Sequence, residues 1–380
     1  MNSYIITSEA LTEGNLNKIC DLIANVIMYN YLAKDETSRV TVDVIINDKN
    51  LIVVGTIISK VYIDIRSIIK RELFKSSYDI NMKNLEIILN IEYNKINDEN
   101  IAFNIEQGLV FGYACNETDE LMPLSIIYAQ RLAKLLFNYV IENKTKFINN
   151  DGKVQVNVEY KNNRLSRINS IYVYLNYLSK EVNSEEINNI IENIIYSVIN
   201  RKLVDNNTKI SIKSISNKYE LYAYGISGRE NFNDLYGGYS RYVSSSLCGR
   251  SPNYTEITAT LMARFIAKNI VAAGLIDKVE IGLNYESGML EPNSIIVNSY
   301  GQQFDSGLIN SNDIIIMIKK VFPLKILEII NFFELRKLDY FEVSKYGYFT
   351  NEDFPWEKIN YAKIIKEYFT KEKGMIFLNY

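Results

Sequence analysis

The sequence contains no histidine. That excludes every mechanism in which imidazole serves as general base, nucleophile or metal ligand. Cysteine is nearly as scarce: Cys20, Cys115 and Cys248 stand far apart, without the CxxC spacing of a zinc site or the dense, even pattern of a disulfide framework. A reducing compartment is expected. Proline is limited to 5 residues in 380 and is scattered, so no proline-rich linker is present and the units of the chain are expected to pack tightly together. No stretch approaches the roughly 20 apolar residues of a membrane-spanning helix. The most apolar one, Ile270 to Ile276, is short and follows Lys268 and Asn269. Met1 to Thr12 holds Glu9 but no lysine or arginine, unlike a secretory or transit leader, so a cytoplasmic protein with no membrane partner is expected. Positive charge is not in excess either: Lys and Arg number 42 against 45 Asp and Glu, a net charge of −3. Without a basic stripe to neutralise phosphates along a duplex, nucleic acid is not an expected partner.

What the sequence does have is length and periodicity. At 380 residues it has room for two or three domains with substantial cores. The richness in Ile, Asn, Lys and Tyr, with 29 Tyr against 1 Trp, is ascribed to codon bias and not to binding chemistry. From Leu16 to Lys34, Ile19, Leu22, Ile23, Val26 and Ile27 recur at three- and four-residue spacing, which predicts a one-sided helix lying on a sheet. Val40, Val42 and Val44 then alternate with Thr41 and Asp43. The turn-forming run Asn47-Asp48-Lys49-Asn50 leads into a second apolar run, 51–63, so a hairpin is predicted. A helix over 65–74 and a strand over 85–93 complete the unit. The order returns: a helix over 122–143 with Pro123 in its first turn, alternating Val154, Val156 and Val158, a turn at 161–164, and a return strand over 165–178. A helix opening at Ser184-Glu185-Glu186 and a strand over 209–215 follow. A third round predicts a helix over 255–273, strands over 278–285 and 294–300, and helices near 312–321 and 324–333. The repetition points to an α+β protein of three structurally related α/β units, bounded at 1–103, 104–218 and 219–380. The hairpin strands are apolar too continuously for a solvated face, so each sheet is expected to carry helices on one face and a flat apolar subunit contact on the other.

The run Gly108-Leu109-Val110-Phe111-Gly112-Tyr113-Ala114-Cys115-Asn116-Glu117-Thr118-Asp119-Glu120-Leu121-Met122-Pro123 resembles the signature of S-adenosylmethionine synthetases, the methionine adenosyltransferases. Thr12-Glu13-Gly14, Arg264 with the following Ala267 to Leu275, and Phe354-Pro355-Trp356-Glu357-Lys358 extend the likeness over nearly the whole chain. The resemblance implies three similar units around a pseudo-threefold and an active site between two subunits. It also implies joining of methionine to ATP with loss and hydrolysis of triphosphate, assisted by magnesium and potassium. A neutral sulfur nucleophile and a highly anionic leaving group would make catalysis depend on preorganised cations around the phosphates.

Several positions depart from that pattern. Where the family has Thr-Glu-Gly-His-Pro-Asp-Lys, this chain reads Thr12-Glu13-Gly14-Asn15-Leu16-Asn17-Lys18. Asn15 stands at the catalytic His, Asn17 at a magnesium-binding Asp, and Lys18 is kept. Thr56 aligns with the Glu that would hold the methionine amino group, and Glu106 with an Asp of the same site. Ser227-Gly228-Arg229-Glu230 keeps Arg229 but puts Glu230 where the family has a phosphate-facing Lys. At an effective dielectric of about 20 and roughly 5 Å, each such pair is worth about 3 kcal/mol, so the reversal is expected to swing phosphate binding by roughly twice that. The glycine-rich phosphate loop reads Ser244-Ser245-Ser246-Leu247-Cys248-Gly249-Arg250-Ser251, with Arg250 keeping a Lys charge, and Tyr254 aligns with a second Lys. Asp151 and Lys153 match the family's Asp-x-Lys, Glu256 stands for a magnesium-side Asp and Asp43 for the potassium-side Glu. The lid, 94–104, is shortened, and an Asp-bearing glycine loop is missing between Tyr219 and Gly225. By resemblance, then, Lys18, Asp151, Lys153, Arg229 and Arg250 are the nucleotide and phosphate candidates, Glu256 and Asp43 the metal candidates, and Glu106 and Thr56 the methionine-site candidates. Asn, Thr and Asp ahead of Pro123 are expected to start a helix.

The replacements cluster at chemistry positions while fold positions survive. The expectation is therefore a degenerate homologue, inactive alone, acting as a structural or regulatory subunit in a homo-oligomer or in a hetero-oligomer with an intact S-adenosylmethionine synthetase. Two alternatives stand beside it. One is an active methionine adenosyltransferase in which Arg250, Lys18, Lys153 and Arg229 supply the missing cations. The other is a non-catalytic module that binds ATP, S-adenosylmethionine or another adenosyl ligand.

Overall fold

The computed structural model of the chain describes residues 3–75, 85–94, 107–142, 148–177, 184–215, 224–304, 307–375 and 377. β1 (Ser3–Leu11) precedes α1 (Leu16–Lys34), the hairpin β2 (Arg39–Ile46) and β3 (Asn50–Ile58), α2 (Ile65–Lys75) and β4 (Glu86–Asn94). β5 (Gly108–Cys115), α3 (Leu124–Glu142), the hairpin β6 (Ile148–Lys161) and β7 (Arg164–Tyr177), α4 (Ser184–Val198) and β8 (Lys209–Ile215) follow. The remainder contains β9 (Gly225–Ile226), α5 (Asn231–Asp234), α6 (Thr255–Ala272), β10 (Lys278–Tyr285), β11 (Ser294–Asn298), α7 (Ser311–Val321), α8 (Ile326–Phe332) and α9 (Ala362–Lys373). The three expected α/β units are present, as sheets ordered β4-β3-β2-β9, β1-β6-β7-β8 and β11-β10-β5. α1 lies on β2, α3 on β1 and β6, and α6 on β5 and β10.

Each sheet borrows a strand from a distant segment. β1 pairs antiparallel with β6, from Ser3↔Lys161 to Leu11↔Lys153, β5 pairs with β10, and β9 pairs with β2. The units are thereby interlocked, and strand edges that would otherwise leave backbone groups unpaired are covered. Among the described residues no helix is long and apolar enough to cross a membrane. All three cysteines are free and buried.

Three expectations need correction. The strand after the first hairpin turn ends at Ile58 and does not run to Ile63, because Asp35 Oδ2 accepts from Ser59 Oγ at 3.0 Å and Lys60 N at 2.9 Å and turns the chain. α1 is not one-sided: Asn17, Lys18, Asp21 and Asn25 are buried together with its apolar residues, because segments near 225–250 and 340–348 cover the face that periodicity assigns to solvent. α3 opens at Leu124, with Glu117 Oε2 accepting from Leu124 N at 3.0 Å, so the cap comes from Glu117 and not from Asn116 or Asp119.

The outward sheet faces also differ from the apolar expectation. Val40, Val42, Val44, Val154, Val156 and Val158 are fully buried, and period-two geometry puts the intervening residues outside. On β1-β6-β7-β8 those include Glu9 paired with Lys153, Thr7 bonded to Asn157, and Lys209 and Lys213 over the Tyr172 ring, beside the exposed Ile5. β2 leaves Arg39, Thr41 and Asp43 partly exposed. The apolar part of that face comprises the row Ile45, Ile52, Ile88, aligned across β2, β3 and β4, with Val54 and Ile58 further along β3.

α6 is buried on nearly every side. It approaches β5 so closely that a Cβ on Gly112 would lie 2.0 Å from the Ala263 carbonyl carbon, which only glycine avoids. Arg264, fully buried, spends all five N–H donors. Nε and Nη2 reach Glu357 at 2.8 and 2.9 Å, Nη1 reaches the carbonyls of Tyr113 and Leu121 at 2.7 and 3.0 Å, and Nη2 reaches that of Glu120 at 2.8 Å. Lys268 Nζ adds 2.7 Å to the same carboxylate. Replacing Glu357 by Leu would leave two buried cations uncompensated, and such losses cost about 3–5 kcal/mol. Urea unfolding of Glu357→Leu should show a loss of that size; a loss below about 1 kcal/mol would contradict this role.

Candidate functional site

The first turn of α1 gathers several of the residues picked out from sequence. Asn15 is the N-cap: its side chain accepts from Asn17 N at 3.0 Å and donates through Nδ2 to Asp151 Oδ1 at 2.8 Å. The Asn17 side chain faces the opposite segment, accepting from Ile226 N at 3.0 Å and donating to Glu230 Oε1 at 2.8 Å. Lys18, 4% exposed, directs its ammonium to both oxygens of Asp234 at 2.8 Å, with Asp21 Oδ2 at 3.9 Å.

The turn Ser227-Gly228-Arg229-Glu230 is held almost residue by residue. Ser227 Oγ donates to Asp43 Oδ1 at 3.2 Å and accepts from Val44 N at 3.0 Å. Gly228 N donates to Asp21 Oδ1 at 2.7 Å. With φ at +75° and a virtual Cβ 2.4 Å from Ser246 Oγ, this position admits no side chain. Glu230, 4% exposed, takes its second hydrogen bond from Asn233 Nδ2 at 2.8 Å. Arg229 is exposed, lies over the Tyr224 ring at 4.7 Å and donates to the Tyr224 hydroxyl at 2.8 Å.

The remaining candidates fall around this turn. Arg250 Nη2 reaches Asp43 Oδ2 at 2.8 Å and Nη1 reaches the Val42 carbonyl at 2.7 Å. Lys153, two residues from Asp151 on β6, pairs with Glu9 at 2.6 Å. Glu256 in the first turn of α6 accepts from Ser245 Oγ. Tyr254 hydrogen bonds to Thr41. Thr56 lies between Thr41 and Glu92 in register on β3. Glu106, the shortened lid after Asn94 and the deletion after Tyr219 lie outside the described residues.

The structure thus brings Asn15 and Asp151 together, and Asp43 and Arg250. It places Lys18 against Asp234 and Asp21 in the buried interior, where helix burial leaves its charge to be met by these carboxylates. It places Glu230 against two amides, not toward solvent. Sequence reasoning missed Asp21, Asp234 and Tyr224, and took Ser227 only as the opening of the Ser227-Gly228-Arg229-Glu230 run. Asp21 had a signal, the i,i+3 spacing from Lys18; Asp234 meets α1 across 216 positions and had none.

These donors do not suit the magnesium and potassium that the resemblance implies. Asn17 offers an amide whose oxygen already accepts from Ile226 N, and both Asp43 oxygens are engaged by Ser227 and Arg250. Among the described residues no group of three Asp, Glu or Cys side chains could hold a metal ion.

Fold and site together define a three-unit α/β protein in which two of the interlocked sheets meet the first turn of α1, through Asp151 and Ile226. Family models for the S-adenosylmethionine synthetase N-terminal, central and C-terminal domains match residues 3–98, 104–217 and 219–358. S-adenosylmethionine synthases of Finegoldia magna and Clostridium botulinum are 32% and 31% identical to the chain, covering 97% and 96% of it and 100% and 99% of their own lengths. A solved structure described as an unusual S-adenosylmethionine synthetase from Campylobacter jejuni matches with a TM-score of 0.88 at 25% identity, over 96% of this chain and 99% of that one. The chain belongs to the S-adenosylmethionine synthetase family.

One cation stands between two carboxylates in this core. Burial pushes Asp21 up to about 7, against the pull of Lys18. Burial likewise raises Asp234. Burial disfavours the Lys18 charge, but Asp234 and Asp21 outweigh it and hold its pKa above the ordinary lysine value. A carboxyl raised in the folded state contributes stability that is full below its ordinary value and is lost as pH rises through the raised one, here about 7. Asp21→Asn keeps an acceptor for Gly228 N and removes the titration. Urea midpoints at about pH 5.5 and 8 should fall more for the wild type than for Asp21→Asn; equal falls would exclude Asp21 as the group.

Proposed function

We propose that this chain is a degenerate S-adenosylmethionine synthetase that does not make S-adenosylmethionine by itself and serves as a structural or regulatory subunit beside an intact homologue in its oligomer. The observation that carries this reading is the internal commitment of the groups that would meet triphosphate: Lys18 to Asp234, Arg250 to Asp43, and Asn17 to Glu230. Moving the Lys18 ammonium to a phosphate would strip a buried carboxylate of its counter-charge, at a cost of several kcal/mol. Glu230 adds an anion where a cation would be needed.

The same contacts preserve packing. With Asn17 and Glu230 at positions that the resemblance gives to a carboxylate and an ammonium, the link between α1 and the 227–230 turn is still made, by a hydrogen bond of 2.8 Å. Of the four cations, Arg229 is the exposed one and the natural carrier of any residual phosphate affinity. Magnesium and potassium are not assigned a role in this chain.

Purified protein supplied with ATP, methionine, magnesium and potassium should form no measurable S-adenosylmethionine. Tagged protein recovered from its own cells should bring an intact family member with it. Turnover on the order of 1 per second or more by the isolated chain would overturn the proposal.

A further inference from the structure

α3 lies against one face of the β1-β6-β7-β8 sheet, where Val154, Val156, Ile171 and Val173 are fully buried. With a period of two, Tyr172 and Tyr174 on β7 share the opposite, outward side with Lys209, Ser211 and Lys213 on β8. Register sets Tyr174 between Lys153 of β6 and Lys213 of β8, and Tyr172 between Gln155 and Ser211. Both rings are half-buried, and both β8 lysines are exposed. The ammoniums of Lys209 and Lys213 each lie 5.9 Å from the Tyr172 ring, and that of Lys213 lies 5.9 Å from the Tyr174 ring.

The charge on this face is one-sided. In a chain of net charge −3, β7 and β8 carry Arg164, Arg167, Lys209 and Lys213 and no Asp or Glu. Arg167 meets Glu159 at 2.6 Å and Asp205 at 3.1 Å, and Lys153 meets Glu9 at 2.6 Å. Among the described residues no carboxylate lies within ion-pair distance of Lys209 or Lys213. Tyrosine rings beside them give rigid, partly apolar surface of the kind that anchors protein interfaces. A second copy of the chain suits this face poorly. Two-fold contact sets a patch against itself, and the carboxylates on the outward rows of β1 and β6 are taken: Glu9 by Lys153, and Glu159 by Arg167 and by Ser3 at 2.9 Å. Lys209 and Lys213 would lose water without gaining a counter-charge.

We propose that this face docks the partner subunit, which presents carboxylates to Lys209 and Lys213 and apolar side chains to Tyr172 and Tyr174. The proposal rests on the subunit role given above and adds where the partner sits and why it is not a second copy. Its charge selects an unlike, acidic surface.

Recovery of the tagged full chain from its own cells tests this, as wild type, as Lys209→Glu/Lys213→Glu and as a control reversal of exposed α9 lysines, Lys363→Glu/Lys371→Glu. The β8 reversal should lower recovery of the intact homologue at least about tenfold, and the α9 reversal should leave it unchanged. Carbodiimide joins an ammonium to a carboxylate in contact, so on the wild-type complex it should link Lys209 or Lys213 to an Asp or Glu of the homologue. That readout does not depend on any variant folding. Undiminished recovery by the β8 variant, no link from either lysine, or links from them to a second copy of this chain would overturn the proposal and leave the subunit role standing. Single-stranded nucleic acid also meets lysines beside aromatic rings, so loss of the homologue on nuclease treatment would overturn it as well. Recovery of no homologue by the wild type would overturn the subunit role, and this proposal with it.

Discussion

A single buried guanidinium organises the C-terminal half of this molecule. Arg264 lies inside α6 with no exposure, so each of its five N–H groups must find an acceptor, and each does. Two go to Glu357 and three to carbonyls at the end of β5 and in the loop after it. The constraint fixes the seat of the 355–357 turn, the path of 116–122 into α3 and the depth at which α6 packs on β5. Glu256, at the start of the same helix, inherits its position from that seat.

The first turn of α1 is held by contacts that come from distant parts of the chain. Ser227, Gly228 and Glu230 reach Asp43, Asp21 and Asn17, so the turn is located by three elements at once. A hydrogen bond between an amide and a carboxylate holds the chain as well as one between opposite charges would, but it presents no cation to an anionic ligand. The Lys18 ammonium is still charged and still ordered, yet its charge is consumed inside the protein by Asp234 and Asp21.

Much of the fold was legible in the sequence. The limits of α1, β8 and β10 follow from periodicity and turn residues, since a period of 3.6 or 2 is written directly into which residues are apolar. β1 was not read as a strand, because its partner β6 lies about 150 residues away and its own pattern is mixed. The outward rows were misjudged for a related reason: continuous apolarity along a strand does not tell which neighbour covers the second face, and here charged residues hold much of it.

Within the site, the sequence by itself determined which chemical groups are present: no imidazole, an amide at Asn17, an anion at Glu230, and cations at Lys18, Lys153, Arg229 and Arg250. Residue identity settles that much because charge and hydrogen-bonding capacity belong to the side chain. Only the tertiary structure decided which of those charges are paired inside the protein and which are exposed. Asp234 reaches Lys18 across 216 positions and Arg250 reaches Asp43 across 207, and such partners are set by how helices and sheets pack, a property of no local stretch of sequence.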